Sequence, residues 1–397
     1  MVEMRVSAAP ALICGMTVRR FTLAASVIAL AILAARCSSS PDMVPIYLGT
    51  YTDGASRGIY RLTLDPGKAR LSEPVLVAQA TNPSFLAWHP TQPVLYAVSE
   101  TDTVGAAKSG AVLAFRIDGS GGLAQINQEP SGGGGACYVS VNEAGTYAFV
   151  ANYGGGTVAA FPVRGDGGVK PAASVVQHTG TGPHATRQTR AHAHAIRPMP
   201  GGPFVLAADL GADQLFVYRL EESTGALQPH QPPSVAASPG AGPRHFAPHA
   251  SNDALFLMNE LSSTVTSYAW DPAAGTLHKR GEVSTLSDGF TGENTTAEVA
   301  VHPNGRFVYG SNRGNDSIAA FRVAADRTLT RVGVYPTGGR TPRHFAIDPT
   351  GAFLIAANQE SDTVVLFRID EQTGALEDTG ARARVPSPVY VGMRPER

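Results

Sequence analysis

A unit of about 50 residues repeats along this chain, and the repeat constrains the fold more than any other feature of the sequence. Its clearest copy is residues 297–323, AEVAVHPNGRFVYGSNRGNDSIAAFRV. This copy reads as an apolar strand, a turn at 303–305, a second strand ending at Asn312 and a third strand from Ser317. The Pro-Asn-Gly turn lies between runs of β-branched and aromatic residues, and no helical period is present. The unit is therefore predicted to be a β-meander.

The ends of the second strands mark six copies of the unit, 46 to 57 residues apart. These end residues are Ser99, Asn152, Asp209, Asn259, Asn312 and Asn358. A seventh copy can be assembled from the strand at 46–48 and a lone strand at 388–391. A blade built from both ends closes a ring and leaves no open sheet edge. The predicted fold is all-β: a seven-bladed β-propeller with four-stranded antiparallel blades, closed by the N- and C-terminal strands in one blade.

The length and charge of the chain agree with a single propeller domain. Of the 397 residues, those at 41–397 suffice for seven units of about 50. The 43 glycines, 29 prolines and only 16% charged residues suit many short strands and tight turns. The net charge of −1 offers no basic surface, which excludes nucleic acid as a partner. We expect residues 41–397 to form one domain, because a ring cannot be divided without being opened, and we expect a monomer.

Residues 1–40 are predicted to be a leader that directs the protein out of the cytoplasm. An arginine pair precedes an apolar run at 21–35, which is long enough for a signal peptide and too short to span a bilayer. The sequence before Cys37 resembles a bacterial lipoprotein cleavage site, with Arg36 where such sites have a small residue. The protein is expected to be periplasmic, or anchored to a membrane through a lipidated Cys37, and cytoplasmic only if the segment is not a leader. Cys137 would then be the only remaining thiol, and we interpret it as a packing residue.

The strand order predicts which polar side chains meet. In each unit, the start of the first strand and the end of the second lie opposite the hairpin turn, and the first strand is normally innermost in a ring. Polar residues at these positions therefore converge on one mouth of the central channel. Counting back five positions from the residue before each turn gives Ser84, Cys137, His192, Arg244, Ala297 and Arg343, with His245, Glu298 and His344 one position further on. The second-strand ends add Glu100, Asn152, Asp209, Glu260, Arg313 and Glu360.

The charges in this set indicate the kind of ligand. Three arginines, at 244, 313 and 343, could grip a carboxylate or phosphate through paired N–H groups. Histidine and glutamate are the usual general acids and bases. The sequence therefore predicts a site for an anionic small molecule that carries an oxygen function to be activated.

Several of these residues also have structural explanations. The Asn and Asp residues at second-strand ends can cap the turn into the third strand. The repeated Pro-Arg-His at 243–245 and 342–344 can be a structural feature of the repeat. His192 and His194 could bind a metal together, but the sequence places no third ligand near them. Three histidines beside the hairpin turns at the far end are excluded as catalytic: His89, His249 and His302.

Six motifs resemble those of the lactonase family of seven-bladed propellers, in the same order and over about residues 45–392. They are VANYGGG at 150–156, ADLGAD at 208–213, GPRH at 242–245, NELSSTV at 259–265, SNRG at 311–314 and TPRHF at 341–345. The family contains bacterial 6-phosphogluconolactonases and fungal 3-carboxymuconate lactonizing enzymes. The resemblance implies no metal and no organic cofactor.

The same resemblance implies a set of site residues. In the fungal branch a His, an Arg, a Glu and a second Arg have been proposed as the site. The matching catalytic residues here are His192 or His194, then Arg244, Glu260 and Arg313. The family pattern Pro-His-x-His is interrupted by residues 182–190, which read as an insertion, so His184 also stays a candidate. The residues predicted to bind substrate are Arg343, His245, His344, Glu298, Asn152 and Asp209.

The implied reaction is hydrolysis of a sugar lactone, with 6-phosphogluconolactone as the expected substrate and carbohydrate metabolism as its setting. Water activated by a His or by Glu260 would attack the ring carbonyl, and Arg244 or Arg313 would stabilise the oxyanion. Arg343 or a neighbour would hold a phosphate or carboxylate. Export would favour an unphosphorylated lactone, because 6-phosphogluconolactone is a cytoplasmic metabolite. Two alternatives remain: a muconolactone-type cycloisomerase, and an exported propeller that binds a ligand without catalysis.

Overall fold

Seven antiparallel sheets contain all the named strands of the computed structural model, which describes residues 43–394. Six sheets have four strands, and the seventh has five because its outer strand is split into two short pieces. The prediction of seven four-stranded blades is confirmed, with that one irregularity. The predicted leader at 1–40, its boundary with the propeller and Cys37 lie outside the described residues.

Each blade contributes one strand to each of four concentric positions. The innermost strands are β5 (Leu86–Trp88), β9 (Ala136–Val141), β13 (Ala193–Pro198), β17 (Pro243–Pro248), β21 (Thr295–Val301), β25 (Pro342–Ile347) and β29 (Pro388–Met393). The second strands are β6 (Val94–Ser99), β10 (Tyr147–Asn152), β14 (Phe204–Asp209), β18 (Ala254–Asn259), β22 (Phe307–Arg313), β26 (Phe353–Asn358) and β1 (Val44–Thr50). The third strands are β7 (Ala111–Ile117), β11 (Thr157–Pro162), β15 (Gln214–Glu221), β19 (Thr264–Asp271), β23 (Ser317–Val323), β27 (Thr363–Ile369) and β2 (Gly58–Asp65). The outer strands are β8 (Leu123–Pro130), β12 (Ser174–Gln177), β16 (Ala226–Ala236), β20 (Thr276–Ser284), β24 (Leu329–Pro336), β28 (Leu376–Arg384), and the pieces β3 (Arg70–Leu71) and β4 (Val75–Gln79).

The ring closes where the two ends of the described chain meet. Strand β29 pairs antiparallel with β1, in the register Leu48↔Val391 and Ile46↔Met393. Tyr390 of β29 then packs against Phe85, with ring centroids 4.6 Å apart, which joins the closing blade to the next one. Because β1 is covered in this way, the closing blade presents no open edge at that position. The prediction that both termini share one blade is confirmed.

The second strands form the buried core of the blades. Strands β6, β10, β14, β18 and β26 are buried along their whole length, since each carries blade neighbours on both faces. A strand buried on both faces needs a continuous apolar run rather than alternation, which is what these sequences show. Cys137 lies in this packing, 5% exposed, and burial raises the pKa of its thiol. That agrees with its interpretation as a packing residue.

Two repeated polar contacts hold the blade ends. At the second-strand ends, Asn152 Nδ2 donates to Thr157 Oγ1 (3.0 Å) and to Ser131 O (3.0 Å), which confirms that this asparagine caps the turn into the third strand. At the opposite end, His249 Nε2 lies 2.9 Å from the carbonyl oxygen of Gly305, in the turn of the next blade. Gly305 has φ +72°, and a Cβ there would lie 2.7 Å from His249 Nε2, so the contact requires glycine. The excluded histidines of the far end thus connect neighbouring blades.

Helical structure is almost absent from the described residues. Their single named helix is a 3₁₀ turn, Gln359–Ser361. No helix in residues 43–394 is long and apolar enough to cross a membrane.

Candidate active site

A β-bulge near the start of the innermost strands directs side chains into one pocket. In β17, Pro243 pairs with Asn259 and His245 with Met258, so Arg244 has no partner and its side chain is turned towards the channel axis. Arg343 occupies the same unpaired position in β25. Bulges commonly re-aim side chains beside functional sites. We call the resulting space the pocket; its lining residues are Ser84, Phe85, Glu100, Cys137, His194, Arg244, His245, Arg343, His344 and Val389.

The fourth blade supplies His194 to the pocket, not His192. Met199 is the pre-turn residue of this blade, since its N–H donates to Phe204 O (2.8 Å), as His249 N–H donates to Ala254 O (2.9 Å) in the next blade. Five positions before Met199 is His194, which is the unpaired bulge residue of β13. The sequence alignment that placed His192 beside Arg244 was therefore wrong by two residues.

His192 and His184 lie elsewhere. His192 Nδ1 lies 2.9 Å from the carbonyl oxygen of Tyr153, and the two rings stack with centroids 4.5 Å apart. The His184 Nδ1 accepts from the backbone of its own turn, the N–H of Arg187 at 3.3 Å. Neither histidine lines the pocket, so His194 is the histidine that the fold brings to Arg244.

Glu260 is the centre of the charged network at this mouth. It follows the end of β18, is 3% exposed, and accepts from Arg244 Nε at 3.0 Å. Arg187 Nη2 donates to its other oxygen at 2.7 Å, and Arg313 Nη2 forms an ion pair with it at 3.0 Å. Burial alone would raise the pKa of Glu260, but the three guanidinium groups outweigh burial and lower the pKa to about 2. The carboxylate is therefore a weak base and a strong anchor for arginines.

His194 lies next to this network and stays neutral. Burial, followed by the positive charge of Arg244, lowers the pKa of His194 well below its ordinary value. The polar contacts of its ring are long: Nδ1 is 3.8 Å from Cys137 Sγ and Nε2 is 3.9 Å from Glu260 Oε2. A neutral imidazole with such weakly engaged nitrogens can accept a proton from a water molecule.

Arg187 is a site residue that the sequence pattern missed. It lies in the segment before the fourth blade, outside the repeating strands, and its side chain is 37% exposed. Besides Glu260 it donates to Tyr153 Oη at 3.0 Å. The unusual length of this segment indicated that it differs from the other connections between blades. The position of Arg187 could not be predicted, because no other repeat contains an equivalent segment.

Arg343 forms a separate arm of the pocket. Its Nη2 donates to Tyr51 Oη at 2.7 Å, and Tyr51 Oη donates to Glu100 Oε2 at 2.9 Å. Burial raises the pKa of Tyr51, so the phenol keeps its proton. Among residues 43–394, no carboxylate lies within 4 Å of the Arg343 guanidinium, in contrast to Arg244 and Arg313. Tyr51 follows β1 in a loop and was also missed by the sequence pattern.

The floor of the pocket is a small polar niche. Its cavity volume is about 10 Å³, which is the space of about one water molecule. Ser84 Oγ is buried there and makes no hydrogen bond to the described residues. A water in the niche would meet this hydroxyl group, and a substrate larger than a water molecule must lie outside the niche.

Phe85 and a ring of aromatic and charged side chains close the channel below the niche. The Phe85 ring lies 4.1 Å from that of Tyr138 and 5.6 Å from that of His245, measured between centroids. Beneath them, Glu298 accepts from His245 Nδ1 at 2.7 Å and lies 3.1 Å from His344 Nε2. Below this layer the channel widens into a second cavity of about 1350 Å³, which we call the far cavity and which Glu298 lines.

Three of the six predicted substrate-binding residues do not reach the pocket. Asp209 is fully buried, accepting from the N–H of His192 (2.8 Å) and lying 2.8 Å from His178 Nδ1. Asn152 is fully buried in its turn-capping contacts. Glu298 lies beneath the pocket and faces the far cavity. Asp209 and Asn152 are therefore structural residues, because their polar atoms are used by their own chain.

No group of three His, Cys, Asp or Glu side chains within residues 43–394 is arranged to hold a metal ion. His192 and His194, which could have formed part of such a group, have different surroundings: His192 Nδ1 lies 2.9 Å from Tyr153 O, whereas His194 is the bulge residue of β13 and lines the pocket. The charged groups that the fold gathers are arginines, which bind anions.

Comparison with known proteins identifies the family. Residues 45–393 match the family model described as "Lactonase, 7-bladed beta-propeller". The chain belongs to the lactonase family. The predicted resemblance is confirmed, and so is the prediction of a lactone-hydrolysing type of enzyme at the level of the family.

Individual relatives support the assignment to the lactonase family. The chain is 40% identical to the 6-phosphogluconolactonase of Bacillus subtilis over 278 residues, which is 70% of this chain and 77% of that protein. The structure of the periplasmic gluconolactonase PpgL of Pseudomonas aeruginosa is similar, with a TM-score of 0.84 and 34% identity over 89% of this chain and 99% of that one. A Lactobacillus plantarum protein has a TM-score of 0.83 and 32% identity over 89% of this chain and 100% of that one.

Proposed function

We propose that this protein hydrolyses a sugar lactone, with 6-phosphogluconolactone as the favoured substrate and 6-phosphogluconate as the product. The observation that carries the proposal is the unequal pairing of the arginines at one mouth of the channel. Arg244 and Arg313 each form an ion pair with Glu260, whereas Arg343 has no carboxylate within 4 Å among residues 43–394. A guanidinium in that state attracts an anionic group such as a phosphate.

The arrangement suggests a division of roles. His194 takes a proton from the attacking water while the water oxygen bonds to the lactone carbonyl carbon. The carbonyl oxygen becomes an oxyanion, which Arg244 and Arg313 stabilise; such a preorganised donor typically contributes about 3 kcal/mol. The ring C–O bond then breaks, and the leaving oxygen takes the proton back from His194. Glu260 keeps the two arginines in place and is not the base, because its carboxylate oxygens already accept from Arg187 and Arg244 and pair with Arg313.

The relatives support this chemistry. A 6-phosphogluconolactonase and a periplasmic gluconolactonase both align with most of this chain. These two names differ in whether the lactone is phosphorylated. In this chain, the charge of Arg343 would decide whether the phosphorylated or the unphosphorylated lactone is preferred. The leader predicted at 1–40 would favour export and an unphosphorylated lactone, so substrate choice and location are linked.

The test is to follow acid release from 6-phosphogluconolactone and from δ-gluconolactone with the purified protein. We expect turnover above the spontaneous rate on both, with the higher kcat/KM for the phosphorylated compound. Glu260→Gln should lose most of this activity, and EDTA should leave it unchanged. Turnover of neither lactone would make the sugar-lactone assignment wrong and would favour a muconolactone-type substrate or a binding propeller.

A further inference from the structure

The two Pro-Arg-His segments flank a single strand. Strand β21 lies between β17 and β25 in the ring and contacts both. Its own bulge is wider than the others, because Thr296 pairs with Asn312 and the next pair is Val299 with Gly310. Two consecutive residues, Ala297 and Glu298, therefore have no pairing partner on the neighbouring strand.

Residues of the β21 bulge accept hydrogen bonds from side chains of both neighbouring innermost strands. The carbonyl oxygen of Ala297 accepts from Arg244 Nη1 at 2.7 Å. Glu298 Oε2 accepts from His245 Nδ1 at 2.7 Å and lies 3.1 Å from His344 Nε2. One carboxylate thus bridges the histidines of both Pro-Arg-His segments, and its side chain is only 12% exposed.

The protonation of the two rings follows from this bridge. An ionised carboxylate only accepts hydrogen bonds, so each ring nitrogen that faces Glu298 carries the hydrogen. His245 is therefore the Nδ1–H tautomer. His344 is the Nε2–H tautomer, which agrees with its Nδ1 receiving the N–H of Val391 at 3.4 Å. Two histidines in the same sequence motif are held in opposite tautomers.

Fixing His245 also positions Arg244. Arg244 Nη1 is 3.3 Å from both ring nitrogens of His245. An atom equally distant from both lies over the ring face, because an approach in the ring plane would bring it against Cε1. The guanidinium therefore rests on the imidazole that Glu298 holds, and a neutral ring attracts a cation over its face.

We propose that Glu298 is a positioning residue that fixes Arg244 and Arg343 relative to each other through His245 and His344. The catalytic and binding roles of the two arginines rest on the proposed function, whereas the contacts of Glu298 do not depend on it. Glu298 itself lies below Phe85 and His245 and faces the far cavity, so it does not touch a substrate in the pocket. Arg343 is the bulge residue directly before His344, so holding that ring holds the bulge that aims Arg343.

Glu298→Gln in the full-length protein tests the proposal through two independent readouts. One oxygen of Glu298, Oε2, faces both rings, and in glutamine that oxygen carries no negative charge, so both contacts lose their charge assistance. We expect kcat to fall because Arg244 is displaced, and KM for 6-phosphogluconolactone to rise because Arg343 is displaced. Together these changes should reduce kcat/KM about 10- to 100-fold, the usual loss when an orienting group is removed. The matched control is Glu143→Gln, which changes a carboxylate lining the same far cavity away from these histidines and should leave both constants unchanged.

The second readout is independent of activity. NMR of histidine labelled with ¹⁵N, with signals assigned from His245→Asn and His344→Asn, should show His245 as an Nδ1–H and His344 as an Nε2–H imidazole, and Glu298→Gln should lose at least one of these two signals. If both signals are present but the protein hydrolyses neither lactone, the bridge is established and the proposed function is wrong. Unchanged kcat, KM and histidine signals in a folded Glu298→Gln protein would overturn the positioning role. A double-mutant cycle with His245→Asn should give effects well short of additive, since both changes break one contact.

Discussion

Arg187 Nη2 lies 2.7 Å from Glu260 Oε1 and so joins the segment before the fourth blade to the end of strand β18. This contact brings a third guanidinium to a carboxylate that Arg244 and Arg313 already hold from neighbouring blades. Arg187 is also the most exposed of the three guanidinium groups on Glu260.

Arg187→Ala is expected to lower kcat/KM about tenfold, a free-energy difference of about 1.4 kcal/mol. Its effect on stability should stay below about 1 kcal/mol, because a partly exposed ion pair contributes little. Steady-state kinetics and a urea titration measure the two quantities. Arg190→Ala, an exposed arginine of the same segment, is the matched control and should resemble the parent.

His194→Asn should reduce kcat by about 10²- to 10⁴-fold, the usual contribution of a general base. His192→Asn, two residues away and stacked on Tyr153, should retain most of kcat. Measuring both under one set of conditions tests the position of the bulge as well as the role. Equal losses in the two variants would contradict the assignment of His194.

Glu260→Gln should lower kcat about 10²-fold or more, because Arg244 and Arg313 lose the group that orients them. It should also destabilise the fold by about 3 kcal/mol, as expected when a buried charge partner is removed. Circular dichroism before the assay separates a folded, inactive protein from an unfolded one. Full activity in a folded variant would show that the arginines need no anchor.

The stability difference between the parent and Glu260→Gln should depend on pH. The folded-state pKa of Glu260 is lowered to about 2, from an ordinary value of 4.5, so the ionised form stabilises the fold. That contribution, about 3 kcal/mol, is fully present above about pH 4.5 and is lost as the pH falls towards 2. Urea midpoints of both proteins between pH 5 and about 3 should therefore converge.

Arg343→Met should change substrate preference more than catalysis. Without the guanidinium, KM for 6-phosphogluconolactone should rise by about tenfold or more, since a charge-assisted contact contributes about 1.5 to 3 kcal/mol. KM for δ-gluconolactone, which has no phosphate, should change little. A parallel rise in KM for both lactones would mean that Arg343 does not bind the phosphate.

The sequence was enough to predict the ring because the same pattern, a hairpin turn and a polar residue at the end of the second strand, recurs six times at intervals of 46 to 57 residues. It also brought Arg244, Glu260 and Arg343 to one mouth, since these residues lie on repeated strands. His194 was misplaced because the pre-turn residue of its blade, Met199, is apolar and has no recognisable counterpart in the pattern.

Contacts that belong to a single blade could not be predicted in this way. Arg187 and Tyr51 lie in loops without repeat copies, so their distances to Glu260 and Arg343 depend on the closed ring. The bridge at Glu298 depends on a bulge two residues wide, which the residue types of β21 do not encode in any recognised pattern.

The pairing of β29 with β1 has a consequence for how the pocket comes into being. Strand β29 is the last of the described strands to leave the ribosome, and β1 is the first. Tyr51, which receives the Arg343 hydrogen bond, directly follows β1, and Val389 of β29 lines the pocket. During synthesis the arginines of β17 and β25 are therefore made long before their surroundings are complete. A nascent chain that stops short of β29 lacks both Val389 and the strand that pairs with β1, so the lining of the pocket is complete only once β29 has been synthesised.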